Sequence, residues 1–86
     1  MALFKIEWVR SAEKEFHKLP KKEKALIIEK ILGLSKNPHP VGSKKLEGLD
    51  KIYRIRQGNF RVLYKIEDEI LVILIFKVAH RKEVYK

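Results

Sequence analysis

Ile52-Tyr53-Arg54-Ile55-Arg56, Gln57-Gly58-Asn59, Phe60-Arg61-Val62-Leu63-Tyr64-Lys65-Ile66: the reading of this stretch decides the fold. Tyr53 and Ile55 alternate with Arg54 and Arg56, and Phe60, Val62, Tyr64 and Ile66 share one face opposite Arg61 and Lys65. That period of two belongs to strands with one covered face. The glycine-bearing triplet between them reads as a turn, so the two runs form an antiparallel hairpin. After Glu67-Asp68-Glu69, a second turn, Ile70 to Val78 is apolar on both faces, as expected of a strand inside the sheet.

Upstream the period changes. Phe4, Ile6 and Trp8 alternate with Lys5 and Glu7 as a first, half-buried strand. Ser11 is placed to open a helix on which Ala12, Phe16 and Leu19 share one face. Pro20 suits the first position of a second helix, where its missing N–H costs nothing. That helix carries a wide apolar stripe of Ile27, Ile28, Ile31, Leu32 and Leu34, with Lys21, Lys22, Glu23 and Lys30 facing water. Asn37-Pro38-His39-Pro40 ends it, and Val41 to Ser43 reads as loop. The expected order is β-α-α-β-β-β. This is an α+β fold with an antiparallel-rich sheet and two N-terminal helices packed on one face, all in one domain over residues 1–86.

Twenty Lys and Arg against eleven Asp and Glu give a formal net charge of +9 over 86 residues. The excess is spread along the chain, so the folded body itself is positive and attracts polyanions, chiefly nucleic acid. A solvated Lys-rich surface has the same composition. The absence of cysteine excludes a disulfide framework and any thiolate site. Lys5 and Glu7 interrupt any signal-like apolar run, and Ile70 to Phe76 is too short to span a bilayer. A cytoplasmic protein with no membrane partner is expected. No three histidines or carboxylates have metal-ligand spacing, so no metal and no cofactor are expected.

Strand parity sorts the cations. Arg54 and Arg56 share a face, Arg61 and Lys65 point away from the helix side, and Lys77, Arg81 and Tyr85 have matching parity if the last strand stays extended. With regular strands, Leu63, Ile73 and Ile75 fall on that same face and need cover. Parity permits a concave cluster of cations with one phenol; a solvated outer sheet surface presents the same pattern. His17 and His39 read as surface residues on a helix and a Pro-rich loop.

The strings Tyr53-Arg54-Ile55-Arg56, Gly58-Asn59-Phe60-Arg61-Val62-Leu63-Tyr64 and His80-Arg81-Lys82-Glu83-Val84-Tyr85 closely resemble the RelE/ParE toxin superfamily. Lys45-Leu46-Glu47-Gly48 and the helix start at Ala12–Lys18 look like that family too, so the match covers nearly the whole chain in order. The resemblance implies a toxin of a type II toxin–antitoxin system. Its RelE-type members are ribosome-dependent endoribonucleases that cut mRNA in the A site through attack by the 2′-OH, inhibiting translation.

Carried over by position, the resemblance assigns catalysis to Arg54, Arg56, Arg61, Arg81 and Tyr85. Such a set is chemically sensible. Cleavage through the 2′-OH needs that proton removed, the leaving 5′-oxygen supported and the phosphorane's charge offset. Arginines are permanently charged and fork onto non-bridging oxygens. Tyr85 serves as base if cations lower its pKa, or stacks on a nucleobase. Well-known bacterial members carry lysine where this chain has Arg54 and Arg56. Arginine does not give up its proton, which leaves His80 as a candidate for the acid–base step. Lys45, Lys65, Lys77 and Lys82 are expected to bind RNA.

The expected partners are the ribosome, mRNA and an acidic, RelB-like antitoxin. Some relatives carry a further helix beyond the tyrosine, which the antitoxin displaces. With the chain ending at Lys86, the antitoxin is expected to wrap the body and cover the basic face instead. Two other readings stand: a ParE-like toxin that poisons DNA gyrase, and a non-catalytic module that binds rRNA or only its antitoxin.

Overall fold

The Gln57–Phe60 register pair closes the hairpin over two residues, Gly58 and Asn59. Gly58 has φ +60 while Asn59 stays at negative φ, the pattern of a type II′ turn, whose twist matches that of the flanking strands. The structure, a computed structural model, describes residues 3–80. Its elements are β1 (Lys5–Trp8), α1 (Arg10–His17), α2 (Lys21–Leu34), β2 (Lys44–Lys45), β3 (Ile52–Gln57), β4 (Phe60–Glu67) and β5 (Val72–His80). They form a five-stranded sheet in the order β1-β5-β4-β3-β2, parallel between β1 and β5 and antiparallel elsewhere. The expected α+β class and the two helices are observed.

The core lies between helices and sheet. Ala12 and Phe16 of α1 and Ile27, Ile31 and Leu34 of α2 cluster with Ile55, Val62, Tyr64, Ile66, Ile73, Ile75 and Val78. Leu32, expected in the apolar stripe, is 58% exposed. It lies about 140° round the helix from Ile27, beyond the buried arc. Helix α1 begins at Arg10 after an extended Val9, so Ser11 sits inside the first turn and does not cap it. Pro20 is extended and precedes α2 by one residue; its C=O accepts the Lys24 N–H.

One irregularity reorders the sheet's faces. Leu63 pairs with Lys77 but Tyr64 pairs with Ile75, which leaves Phe76 as an extra residue on β5. Such a bulge reverses the alternation of everything beyond it. Ile73 and Ile75 therefore join Ile66 and Tyr64 beneath the helices at 0% exposure, and not the face of Leu63. Strand β5 also starts two residues late, because Leu71 turns at φ +54 and Ile70 stays exposed.

The short β2 pairs Lys44 with Arg54 and Lys45 with Tyr53. Two consecutive lysines carry no alternation, so the sequence gives no sign of this strand. Tyr64 anchors the chain between α2 and β2: its hydroxyl donates to the Pro38 carbonyl at 2.7 Å. Burial of the phenol pushes its pKa up to about 12.

Candidate nucleic-acid interface

The hairpin's alternation has a physical consequence on its second face. Core residues Ile55 and Val62 pair across β3 and β4 on the helix side, so their neighbours Arg54, Arg56 and Arg61 occupy the other side. Arg56 and Arg61 are direct register partners, and Arg54 lies opposite Leu63. Arg54 and Arg61 are only 6% and 5% exposed, whereas Arg56 is open to solvent. Burying a guanidinium is costly unless its N–H groups are bonded. The Arg54 Nε nevertheless has no hydrogen-bond partner. Among the described residues neither Arg54 nor Arg56 is in an ion pair with a carboxylate. The arrangement is a positive face with donor capacity held back from the protein, suited to phosphate oxygens.

Two lysines outside the expected set belong to this region. Lys44 pairs in register with Arg54 and so shares its face, whereas Lys45 pairs with Tyr53 and takes the opposite pleat. The Lys30 Nζ donates to the Arg56 carbonyl at 2.8 Å, filling the edge of β3 past the end of β2. A crevice of about 630 Å³ opens there, with Lys30, Asn37, Val41, Lys44, Ile55 and Arg56 in its lining. The signal for Lys44 is available only once β2 is known.

The other expected residues are less alike. Lys65 shares the Arg61 face and lies 3.8 Å from Glu67 Oε1. Lys77 pairs with Leu63 in the sheet, and its Nζ is held at 2.8 Å by Glu15 Oε2. His80 pairs with Phe60, ring edge to ring face at 5.5 Å, on the pleat of the core and not on that of Arg61. Arg81, Lys82 and Tyr85 lie outside the described residues. His17 and His39 are exposed, as expected. The His39 ring stands edge-on to Tyr53, which stacks on Tyr64. No helix among the described residues is long and apolar enough to cross a membrane.

Comparison with known proteins agrees with this architecture. The family model described as the ParE toxin of the type II toxin–antitoxin system parDE matches residues 6–85. Toxin RelG of Mycobacterium tuberculosis is 32% identical over 84 residues, covering 96% of this chain and 97% of RelG. The putative toxin RelE1 of Methanocaldococcus jannaschii is 34% identical over 86 residues, covering 96% of each chain. Among solved structures, the archaeal RelE–RelB complex from Pyrococcus horikoshii superposes with a TM-score of 0.82 at 28% identity, covering 92% of this chain and 96% of that one. A family match along almost the whole chain, relatives of the same length and a shared fold lead to one conclusion: the chain belongs to the RelE/ParE superfamily and is a RelE-type toxin of a type II toxin–antitoxin system.

Proposed function

We propose that this toxin is a metal-independent endoribonuclease that cuts mRNA in the ribosomal A site. The observation that carries the reading is Arg54, a buried guanidinium with an unbonded Nε, set beside Arg56 and Arg61 on one sheet face. In the reaction the message's 2′-oxygen attacks the adjacent phosphorus and the 5′-oxygen leaves, forming a 2′,3′-cyclic phosphate. Arg54, Arg56, Arg61 and Arg81 offset the phosphorane's charge. Tyr85 accepts the 2′-OH proton, and a cation-rich setting is what would make a phenol basic enough. His80 stays the candidate donor to the leaving oxygen, although in β5 it lies on the pleat opposite that of Arg61.

This chain supplies few groups able to move protons, which favours a reaction completed by the ribosome's positioning of the message. Codon-phased cuts should therefore appear by primer extension on a translated message, and naked RNA should stay largely intact. Equal cutting of naked RNA would contradict ribosome dependence; no cutting of either would contradict the enzyme. The partner that restrains the toxin is an acidic RelB-like antitoxin covering the basic face, a reading supported by the RelE–RelB complex of the Pyrococcus horikoshii relative and by the net charge of +9.

The family model's description as a ParE toxin favours a second reading, inhibition of DNA gyrase. Loss of gyrase supercoiling at toxin concentrations that leave translated messages uncut would establish it in place of the first.

A further inference from the structure

Strand β1 is too short to cover the edge of β5. Its register ends at Trp8 opposite Ile75, and the last bond along it runs from the Val9 N–H to the Ile75 carbonyl. Beyond that point the edge of β5 would present unpaired backbone groups, just where the strand also carries its bulge. Glu15, on α1, fills the gap. Its Oε1 accepts the Val78 N–H at 3.0 Å and its Oε2 accepts from Lys77 Nζ at 2.8 Å, both partly buried. A carboxylate 63 residues away in sequence thus takes the place of the next strand residue.

The segment so held is the one that matters for the basic face. Val78 and Ala79 pair on their other side with Val62 and Arg61, and His80 leads directly into Arg81. The bulge interrupts the ladder next to this segment, so fewer backbone bonds hold it there, and a slip of one residue would turn its side chains to the other face. Resting on the ribonuclease reading above, we infer that Glu15 is a positioning residue: it fixes the register of the end of β5, and with it the placement of Arg61 opposite Ala79, without touching RNA. Its bond to Lys77 also turns that lysine's charge toward α1.

The test compares wild type, Glu15→Gln and Glu15→Ala by single-turnover cleavage of a ribosome-bound message over a range of toxin concentrations, with melting temperatures measured alongside. Gln keeps the acceptor for Val78 N–H but not the ion pair. It should cut within about threefold of wild type. Ala removes the acceptor, and its rate at saturating toxin should fall roughly 10- to 100-fold, with the half-saturating concentration nearly unchanged. Wild-type cutting by Glu15→Ala, a loss confined to half-saturation, or an equal loss in Glu15→Gln would each overturn the inference.

Hydrogen exchange at the Val78 amide tests the clasp independently of cutting and of whether Glu15→Ala folds. Wild type and Glu15→Gln should both protect that amide at least about tenfold, although it lies past the end of β1. Exchange at the rate of an open amide in wild type would overturn the clasp. Protection in a wild type that fails to cut would leave the clasp standing and remove the ribonuclease reading alone.

Discussion

Arg56 and Arg61 stand directly opposite each other in the β3–β4 ladder, two permanent positive charges at adjacent positions on one face. Like charges in register weaken a sheet pair by roughly 0.2–1 kcal/mol. A fold selected for stability alone would place a carboxylate at one of the two positions. Arg56, the exposed member of the pair, is open to an anion from outside.

Replacing the exposed member should separate stability from activity. Arg56→Gln is expected to raise the melting temperature by roughly 2–4 °C at low ionic strength. The gain should shrink in high salt as the repulsion is screened. Cutting of translated mRNA by the same variant should fall about 100-fold, as for loss of one charge-stabilising group. Thermal denaturation and primer extension on one preparation check both halves.

Binding to a short single-stranded RNA should be steeply salt dependent. With four or five phosphates contacted, log K should fall with log salt at a slope of about −3. Lys44→Gln, which removes a cation next to Arg54 in the ladder, should lower that slope by about 0.7. Lys45→Gln, on the other pleat, should change it less. Fluorescence anisotropy across a salt series measures all three slopes.

The Tyr64 phenol makes stability sensitive to alkali. The folded chain holds its proton up to about pH 12, while an unfolded chain releases it near 10. Between these values the unfolded state binds fewer protons, so rising pH favours unfolding. Stability should fall by roughly 1–3 kcal/mol across that window. Tyr64→Phe should lose about 1–2 kcal/mol at neutral pH, through the bond to the Pro38 carbonyl, and should lack this part of the alkaline fall. Urea unfolding at a series of pH values resolves the difference.

The bulge predicts unequal costs for adjacent residues. Ile73→Ala empties a fully buried position under the helices and should cost about 2–5 kcal/mol. Leu74→Ala, on the opposite pleat and half-buried, should cost less than about 1.5 kcal/mol. Denaturant midpoints give the ranking, and a reversed order would place the register shift elsewhere.

What the sequence makes legible follows from which signals are periodic. The hairpin, both helices and the common face of Arg54, Arg56 and Arg61 come from alternation and helical spacing, and the structure places them accordingly. The face of Ile73 and Ile75 does not, because a one-residue bulge leaves no mark in composition yet inverts them relative to Lys77, which keeps its expected face beside Leu63. Strand β2 is silent for a similar reason: Lys44 and Lys45 pair through backbone alone. Glu15 looks like any helix-surface carboxylate until the end of β1 exposes the Val78 N–H to it. The arginines of this face are readable as residues, but the burial of Arg54 and Arg61 is not, since burial depends on neighbours distant in sequence.

In the proposed reaction the arginine face and Tyr85 cut mRNA on the ribosome. Primer extension on one translated message, with wild type, Arg61→Ala, Arg81→Ala and Tyr85→Phe at equal concentration, tests it most directly. Codon-phased cuts from wild type, reduced at least about 100-fold in each variant, are the predicted result. Wild-type cutting by all three variants, or an uncut message in every lane beside a blocked gyrase, would contradict it.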